Sequence, residues 1–418
     1  MPEAAAERAD YRFKGLPPDA DGMLLTDLAA ERRPLFGGGF TTPLLTLDAA
    51  ALEHNLAALA AYCTAHGLAF APHGKTSMAP QLFHRQLEHG AWGITLAVPH
   101  QVRVAYAHGV KRIFLANELV DPAALRWVGA RLDDDPELRF VCYVDSVAGV
   151  RLMDEALRGR GGRPVDVVVE LGGGPDARTG ARTEETCREV ADAVAASPAL
   201  RLAGVAGYEA EATPKGEAGV REWLRRLTAL AVEFDKADRF EGLDEIVVSA
   251  GGSEWFDAVA DSFAALPELS RPVLKLLRSG AYVSHDDVHY ARITPFNRLP
   301  EEGSLAPAFR IWTQVVSLPE PGQAFVNAGK RDLAYDLDLP VPLSVRGLDG
   351  TVRPARGLTV RRLSDQHAWL DVADGAGIRV GEWVALGMSH PCTIFDKWQL
   401  IPVVEADGTV SDFVRTYF

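Results

Sequence analysis

The chain has 418 residues, 47% of them hydrophobic and 24% charged, the make-up of an ordinary water-soluble globular protein with room for two or three domains or one large barrel and a smaller companion. A formal net charge of -14 argues against a nucleic-acid partner, whose phosphate backbone would be repelled. The four cysteines, Cys63, Cys142, Cys187 and Cys392, are scattered, which predicts free thiols in a reducing cytoplasm rather than a disulfide framework.

The N-terminal stretch MPEAAAERADYRFKG is charged and lacks the apolar core of a signal peptide. No apolar run reaches the roughly 18 residues of a membrane-spanning helix, so no membrane partner is expected. Residues 1–40 alternate Ala/Glu-rich and Pro-rich pieces and end in Phe36-Gly37-Gly38-Gly39-Phe40. They read as an irregular arm that packs with the C-terminal domain. Pro43 to Asp48 is apolar enough for a short strand, and Asp48 suits the N-cap of a helix over 49–66.

A rhythm then sets in. Apolar runs at 68–70, 93–98, 112–117, 139–145, 165–171, 202–208, 245–250 and 273–278 alternate with stretches long enough for helices. Continuous apolar strands separated by helices predict a parallel sheet buried on both faces. Eight such units predict a (β/α)8 TIM-type barrel over 41–300, with a doubly wound open sheet as the alternative. From residue 301 the helical pattern stops. Runs at 309–318, 323–326, 358–363, 368–372 and 382–386, with Asp349-Gly350 and Asp407-Gly408 as hairpin signals, predict a separate β domain over 301–418.

Barrel chemistry sits at the C-terminal ends of the strands, with phosphate commonly held after the seventh and eighth. Lys75 follows the first run, in Ala71-Pro72-His73-Gly74-Lys75-Thr76. A lysine held against a sheet end can lose its proton and act as a Schiff-base nucleophile. Arg178 follows the fifth run in Arg178-Thr179-Gly180, and Tyr208 ends the sixth. Gly251-Gly252-Ser253 closes the seventh, and Ser279-Gly280-Ala281 follows the eighth. Two such turns can present backbone N–H groups and hydroxyls to a phosphate, because glycine lets the backbone approach closely. Opposite a lysine, the pair points to pyridoxal 5'-phosphate: an aldehyde for the amine and a phosphate for the turns.

His390 and Cys392, spaced i, i+2 around Pro391, are the candidate metal pair. In extended backbone, which Pro391 favours for the residue before it, both would face the same way. Imidazole and thiolate suit zinc. His285 and His289 offer a competing i, i+4 pair in what reads as a loop.

With these residues in view, the sequence resembles the D-serine dehydratase / D-threonine aldolase-like family, from about Pro43 to Trp398. The resemblance rests on Pro72-His73-Gly74-Lys75-Thr76, Gly93-Ile94-Thr95, Ile113 to Asn117, Arg178-Thr179-Gly180, Arg278 to Asp286, Asn327 to Lys330, Ser364 to His367 and His390-Pro391-Cys392-Thr393. It implies the alanine-racemase-like architecture of pyridoxal-phosphate enzymes of fold type III, a barrel followed by a β domain. It implies Lys75 as the cofactor lysine and base, and Arg178 beside the pyridine ring. Tyr208 would contact the ring, Gly251, Gly252, Ser279, Gly280 and Ala281 would lie around the phosphate, and His390 and Cys392 would hold zinc, with Mn2+ or Mg2+ as alternatives. A homodimer is expected on the same ground. The chain departs from the family pattern at Ala71, at Ser77-Met78 and at Asn327, which leaves the amino-acid side chain open. The implied reaction is dehydration of a D-3-hydroxy amino acid such as D-serine to a 2-keto acid and ammonia. Retro-aldol cleavage to glycine and an aldehyde is the alternative, and a non-catalytic pyridoxal-phosphate-binding protein is a third reading.

Overall fold

The computed structural model describes residues 7–418. The chain divides into two units. One is built from the N-terminal part through Ala58, Thr76–Leu82 and Ala281–Phe418, and the other from Leu59–Lys75 and Phe83–Gly280. The first strand, β1 (Leu44–Asp48), belongs to the former.

The second unit is the barrel. Its strands are β2 (Ala69–Phe70), β3 (Ile94–Leu96), β4 (Arg112–Glu118), β5 (Arg139–Val144), β6 (Val165–Leu171), β7 (Leu200–Gly207), β8 (Ile246–Ala250) and β9 (Val273–Leu277). All pair in parallel, in the order β2-β9-β8-β7-β6-β5-β4-β3. The ring closes where the Trp92 amide donates to Phe70 O (2.6 Å), the Thr95 amide to Pro72 O (2.9 Å) and the Thr95 hydroxyl to Ala71 O (2.6 Å). The predicted first run loses Leu68, whose amide donates to Cys63 O (2.8 Å) and so closes the preceding helix instead of joining the ladder. Ala71, Phe114, Val141, Tyr143, Val168, Ala206 and Leu276 belong to one buried cluster of the barrel. The alternate residues, such as Val167 and Val169, are buried on the outer face. That two-sided burial is why the runs read as continuously apolar. Helices are capped where the sequence offers a cap: Asp121, Ser146 and Thr183 each accept a first-turn amide. No described helix is long and apolar enough to cross a membrane.

The first unit is mainly antiparallel. Its remaining strands are β10 (Phe309–Glu320), β11 (Gln323–Val326), β12 (Val341–Arg346), β13 (Val352–Pro354), β14 (Leu358–Leu363), β15 (Ala368–Val372), β16 (Trp383–Gly387), β17 (Leu400–Val404) and β18 (Val410–Arg415). They form a ten-stranded sheet along β13-β12-β16-β10-β1-β17-β18, with β11, β15 and β14 branching from β10. Here the structure departs from the sequence reading. The expected strand near Pro43 exists, yet it lies between β10 and β17, with Leu45 opposite Ile311 and Leu47 opposite Val403, rather than with the residues of 41–300 that form the barrel. β12, β13, β17 and β18 had no counterpart in the sequence reading. Short strands carrying Pro342 and Pro402 do not alternate cleanly: β12 is half-buried almost throughout and β17 is buried almost throughout. Their turns were legible, since Asp349-Gly350 and Asp407-Gly408 join β12 to β13 and β17 to β18, each glycine at positive φ. The described part of 1–40 is more ordered than an arm. It includes the helix Leu25–Ala30, and Phe13, Leu16, Leu25, Leu28 and Leu35 pack on Leu44, Leu400, Val410 and Phe413.

Candidate active site

In the barrel unit, Lys75 sits in the one-turn helix Gly74–Thr76 that follows β2. Gly74 is required by space: a Cβ there would lie 2.7 Å from both Ile94 Cγ2 and Phe83 Cε1. Gly74→Ala is therefore expected to destabilise the fold by about 1–3 kcal/mol through overpacking directly beside Lys75. A lowered melting temperature checks this, and an unchanged one would mean the turn has slack. His73 next to it reports the local field. Burial together with the cations of Lys75, Arg278 and Arg178 holds its imidazole neutral, well below the ordinary histidine range. Its buried Nδ1 has no hydrogen-bond partner among the described residues. The charges of Lys75, Arg278 and Arg178 all act on this one buried imidazole.

The turns after β6 to β9 converge. The Arg178 guanidinium lies 5.5 Å from the Tyr208 ring, and its Nε donates to Glu211 (3.1 Å). Burial pushes the Tyr208 phenol up, with the neighbouring Glu209 adding to the effect. Gly252 faces that ring, since a Cβ there would come within 2.7 Å of Tyr208 Cε2. The Ser279 hydroxyl donates to Gly252 O (2.5 Å), which ties the last two turns together.

One expectation changes in detail. The amides of Gly251 and Gly252 already donate to the buried Glu209 carboxylate, at 2.7 and 2.8 Å. Those two glycines therefore shape the turn by close approach, and their N–H groups are committed to a side chain. The donors left for a phosphate are in Ser279-Gly280-Ala281. Glu209 escaped the sequence reading because an acidic residue after a strand looks like a solvated one. Arg278 is also an interior residue: it donates to Ser249 Oγ (2.9 Å) and Gly207 O (2.6 Å) and lies 5.3 and 5.7 Å from the Phe114 and Tyr143 rings.

An anionic aromatic cofactor fits this set: a lysine at a strand end, an unpartnered buried ring nitrogen, three cations and a tyrosine under one of them.

In the other unit, His390 and Cys392 do come together, but not by the predicted geometry. His390 has φ +59, Pro391 is helical (φ -54, ψ -33) and Cys392 opens the short helix Cys392–Phe395. A left-handed residue followed by a helical turn, not an extended tripeptide, brings sulfur to imidazole. Such backbone in a non-glycine residue costs energy and is held in place by its surroundings. Here the hold is visible: Asp286 accepts the His390 amide (2.9 Å), and Asp336 accepts from the His390 ring at Nδ1 and from Thr393 Oγ1 (2.7 Å). With Nδ1 so occupied, Nε2 is the nitrogen left to ligate a metal. The adjoining Cys392 sulfur, with Asp336 behind it, raises the imidazole to about 9. Cys392 Sγ also lies 3.3 Å from Thr76 Oγ1, and Thr76 is the residue after Lys75 in the chain. The other three thiols are different. Burial pushes Cys63 and Cys187 up to about 12 and Cys142 further, as expected of inert core cysteines.

A soft sulfur and an oriented imidazole fit a zinc-type ion with two protein ligands and solvent in the remaining positions. Asp336→Asn is expected to weaken metal binding about 10–100-fold in chelator competition, by loosening the tautomer and orientation of His390. Unchanged affinity would make Asp336 a bystander. The competing pair does not assemble this way. His285 is buried, and burial lowers its proton affinity, while His289 opens the helix His289–Ile293 with its ring against Tyr290. Asn327-Ala328-Gly329-Lys330 and Ser364 to His367 turn out to pack backbone on backbone: the Lys330 amide donates to Ser364 O (2.8 Å), and a Cβ on Gly329 would sit 2.3 Å from that oxygen.

Comparisons with known proteins bear on the family and the fold. Residues 47–272, more than half of the chain, match the family described as "Alanine racemase, N-terminal domain", and residues 308–404 match "Putative serine dehydratase domain". A 3-hydroxy-D-aspartate aldolase of Paracoccus denitrificans (strain Pd 1222) is 28% identical over 362 residues, 85% of this chain and 87% of that protein. The crystal structure of a D-threonine aldolase from Filomicrobium marinum superposes with a TM-score of 0.75 at 26% identity, covering 90% of this chain and 95% of the other. D-threo-3-hydroxyaspartate dehydratase from Delftia sp. HT23 shares the fold at TM-score 0.67 and 22% identity, covering 91% and 98%. The chain belongs to the alanine racemase N-terminal domain family, and its second, β-rich part carries the match to the serine dehydratase domain.

Proposed function

We propose that this protein is a pyridoxal-phosphate- and metal-dependent lyase acting on D-3-hydroxy amino acids, with dehydration as its reaction. The observation that carries the reading is the Asp336–His390–Cys392–Thr76 chain of contacts, which ends one peptide bond from Lys75. Lys75 would hold the cofactor, and its amine would take the proton from Cα. Arg178, over Tyr208, sets the charge beside the ring, and Ser279, Gly280 and Ala281 hold the phosphate. Bound in this way, pyridoxal phosphate supplies an electron sink for the charge left on Cα. His390 and Cys392 would hold a zinc-type ion, which would supply Lewis acidity for departure of the β-hydroxyl. The product after hydrolysis is a 2-keto acid with ammonia.

Retro-aldol cleavage is the second reading, supported by the names of the Paracoccus and Filomicrobium relatives. In it the β-hydroxyl loses its proton, the Cα–Cβ bond breaks, and glycine and an aldehyde leave. The purified protein with added zinc or manganese is offered D-serine, D-threonine and D-threo-3-hydroxyaspartate, and keto acid, ammonia and glycine are measured. Keto acid with ammonia is the expected result. Glycine with an aldehyde moves the reading to the aldolase, and no turnover of any of the three overturns both.

A further inference from the structure

Three carboxylates of the barrel are used by none of this chemistry. Glu118 ends β4, Asp145 follows β5, and Glu170 stands near the end of β6. Each offers an oxygen within 4.8 Å of the other two, the only such grouping of three or more His, Cys, Asp or Glu ligands among the described residues. Glu170 is 4% exposed. Both Glu118 oxygens and Glu170 Oε2 are buried without a hydrogen-bond donor. The Tyr143 hydroxyl, on a side chain 3% exposed, is also buried and unpartnered. Tyr143, Glu118 and Asp145 line one cavity of about 340 Å3, together with Asn117, Ser146 and Thr179.

This is costly as it stands. Burial raises both glutamates, and the proximity of Glu118 raises Glu170 further, so the pair retains a proton that isolated carboxyls would release. Two facing carboxyls need something positive between them. A proton serves for two of the three groups and leaves the buried, unpartnered Tyr143 phenol unexplained. Two oxygens on opposite sides of an ion with bonds of 2.0–2.6 Å lie no more than about 5 Å apart, so the observed spacing suits one cation. The donors are all oxygens, and the cavity has room for water.

We propose that the barrel binds a hard divalent cation of the Mg2+/Mn2+ type between Glu118, Asp145 and Glu170, separate from the sulfur–imidazole pair at His390 and Cys392. The two sites differ in hardness, so one chain sorts two kinds of metal: carboxylate oxygens for the hard ion, thiolate and imidazole for the soft one. Asp145 also accepts the Gly180 amide at 3.3 Å. The ion thus pins the turn that carries Arg178.

The test reads occupancy rather than turnover, so its failure and that of the lyase reading are distinguishable. The full chain carrying His390→Ala and Cys392→Ala is titrated with millimolar Mn2+ and bound ion is followed by electron paramagnetic resonance. One bound Mn2+ is expected, displaced by Mg2+ and weakened at least about tenfold by Glu170→Gln or Asp145→Asn. No binding in the His390/Cys392 double variant, or binding indifferent to both carboxamide substitutions, overturns the proposal. Should the carboxamide variants fail to fold, wild-type crystals soaked in Mn2+ decide it: an anomalous peak between the three carboxylates is expected, and its absence leaves the proton as the occupant.

Discussion

Replacement of Lys75 by alanine is expected to abolish turnover and covalent cofactor capture together. Wild-type protein treated with pyridoxal phosphate and borohydride should acquire one cofactor mass on the peptide containing residue 75, and Lys75→Ala should acquire none. The activity loss should be at least about 10^2–10^4-fold, the usual contribution of a positioned general base, and larger if the covalent link also fails. The structural reason is the position of Lys75. Lys75 stands in a one-turn helix at the end of β2, held by a glycine that tolerates no Cβ and beside a histidine kept neutral by burial and by the surrounding cations. Labelling of any other lysine, with residue 75 unmodified, would falsify the cofactor assignment.

The metal pair should show the second large effect. His390→Ala and Cys392→Ala are each expected to cost on the order of 10^2-fold or more in kcat, the loss of a Lewis acid worth several kcal/mol at the leaving oxygen. Cys392→Asp is the sharper variant. It keeps an anionic ligand but exchanges soft sulfur for hard oxygen, so zinc affinity should fall while Mn2+ or Mg2+ restores a larger share of activity than in wild type. The substitution also removes the sulfur that lies 3.3 Å from Thr76. Full activity of both alanine variants in metal-stripped buffer would remove the metal from the reaction. Because the three remaining cysteines are buried with raised thiols, Cys392 should also be the one that reacts with an alkylating reagent in the folded protein.

Much of the architecture was legible in the residues. Strands that are buried on both faces must be apolar throughout, so β4, β6 and β9 stood out within a residue or so of their observed bounds. Asp48 was readable as a cap and does accept the Ala51 amide at 2.8 Å. Lys75, Arg178, Tyr208 and the paired glycine turns were readable as strand-end positions, and they do lie in the segments after β2, β6, β7, β8 and β9.

What the sequence alone settled is the alternation of buried strand and helix, and the local punctuation of Pro, Gly and Asp that ends each one. Those depend on neighbours in the chain. Tertiary structure decided the rest. β1 lies between β10 and β17, since pairing partners hundreds of residues away carry no local signature. His390 meets Cys392 through a left-handed turn that Asp286 and Asp336 hold from other loops, where local rules favoured extended backbone. Glu209 takes the glycine amides, and Glu118, Asp145 and Glu170 converge from three separate strands. An acidic residue reads as solvated until the fold buries it, because desolvation is a property of the surroundings and not of the side chain.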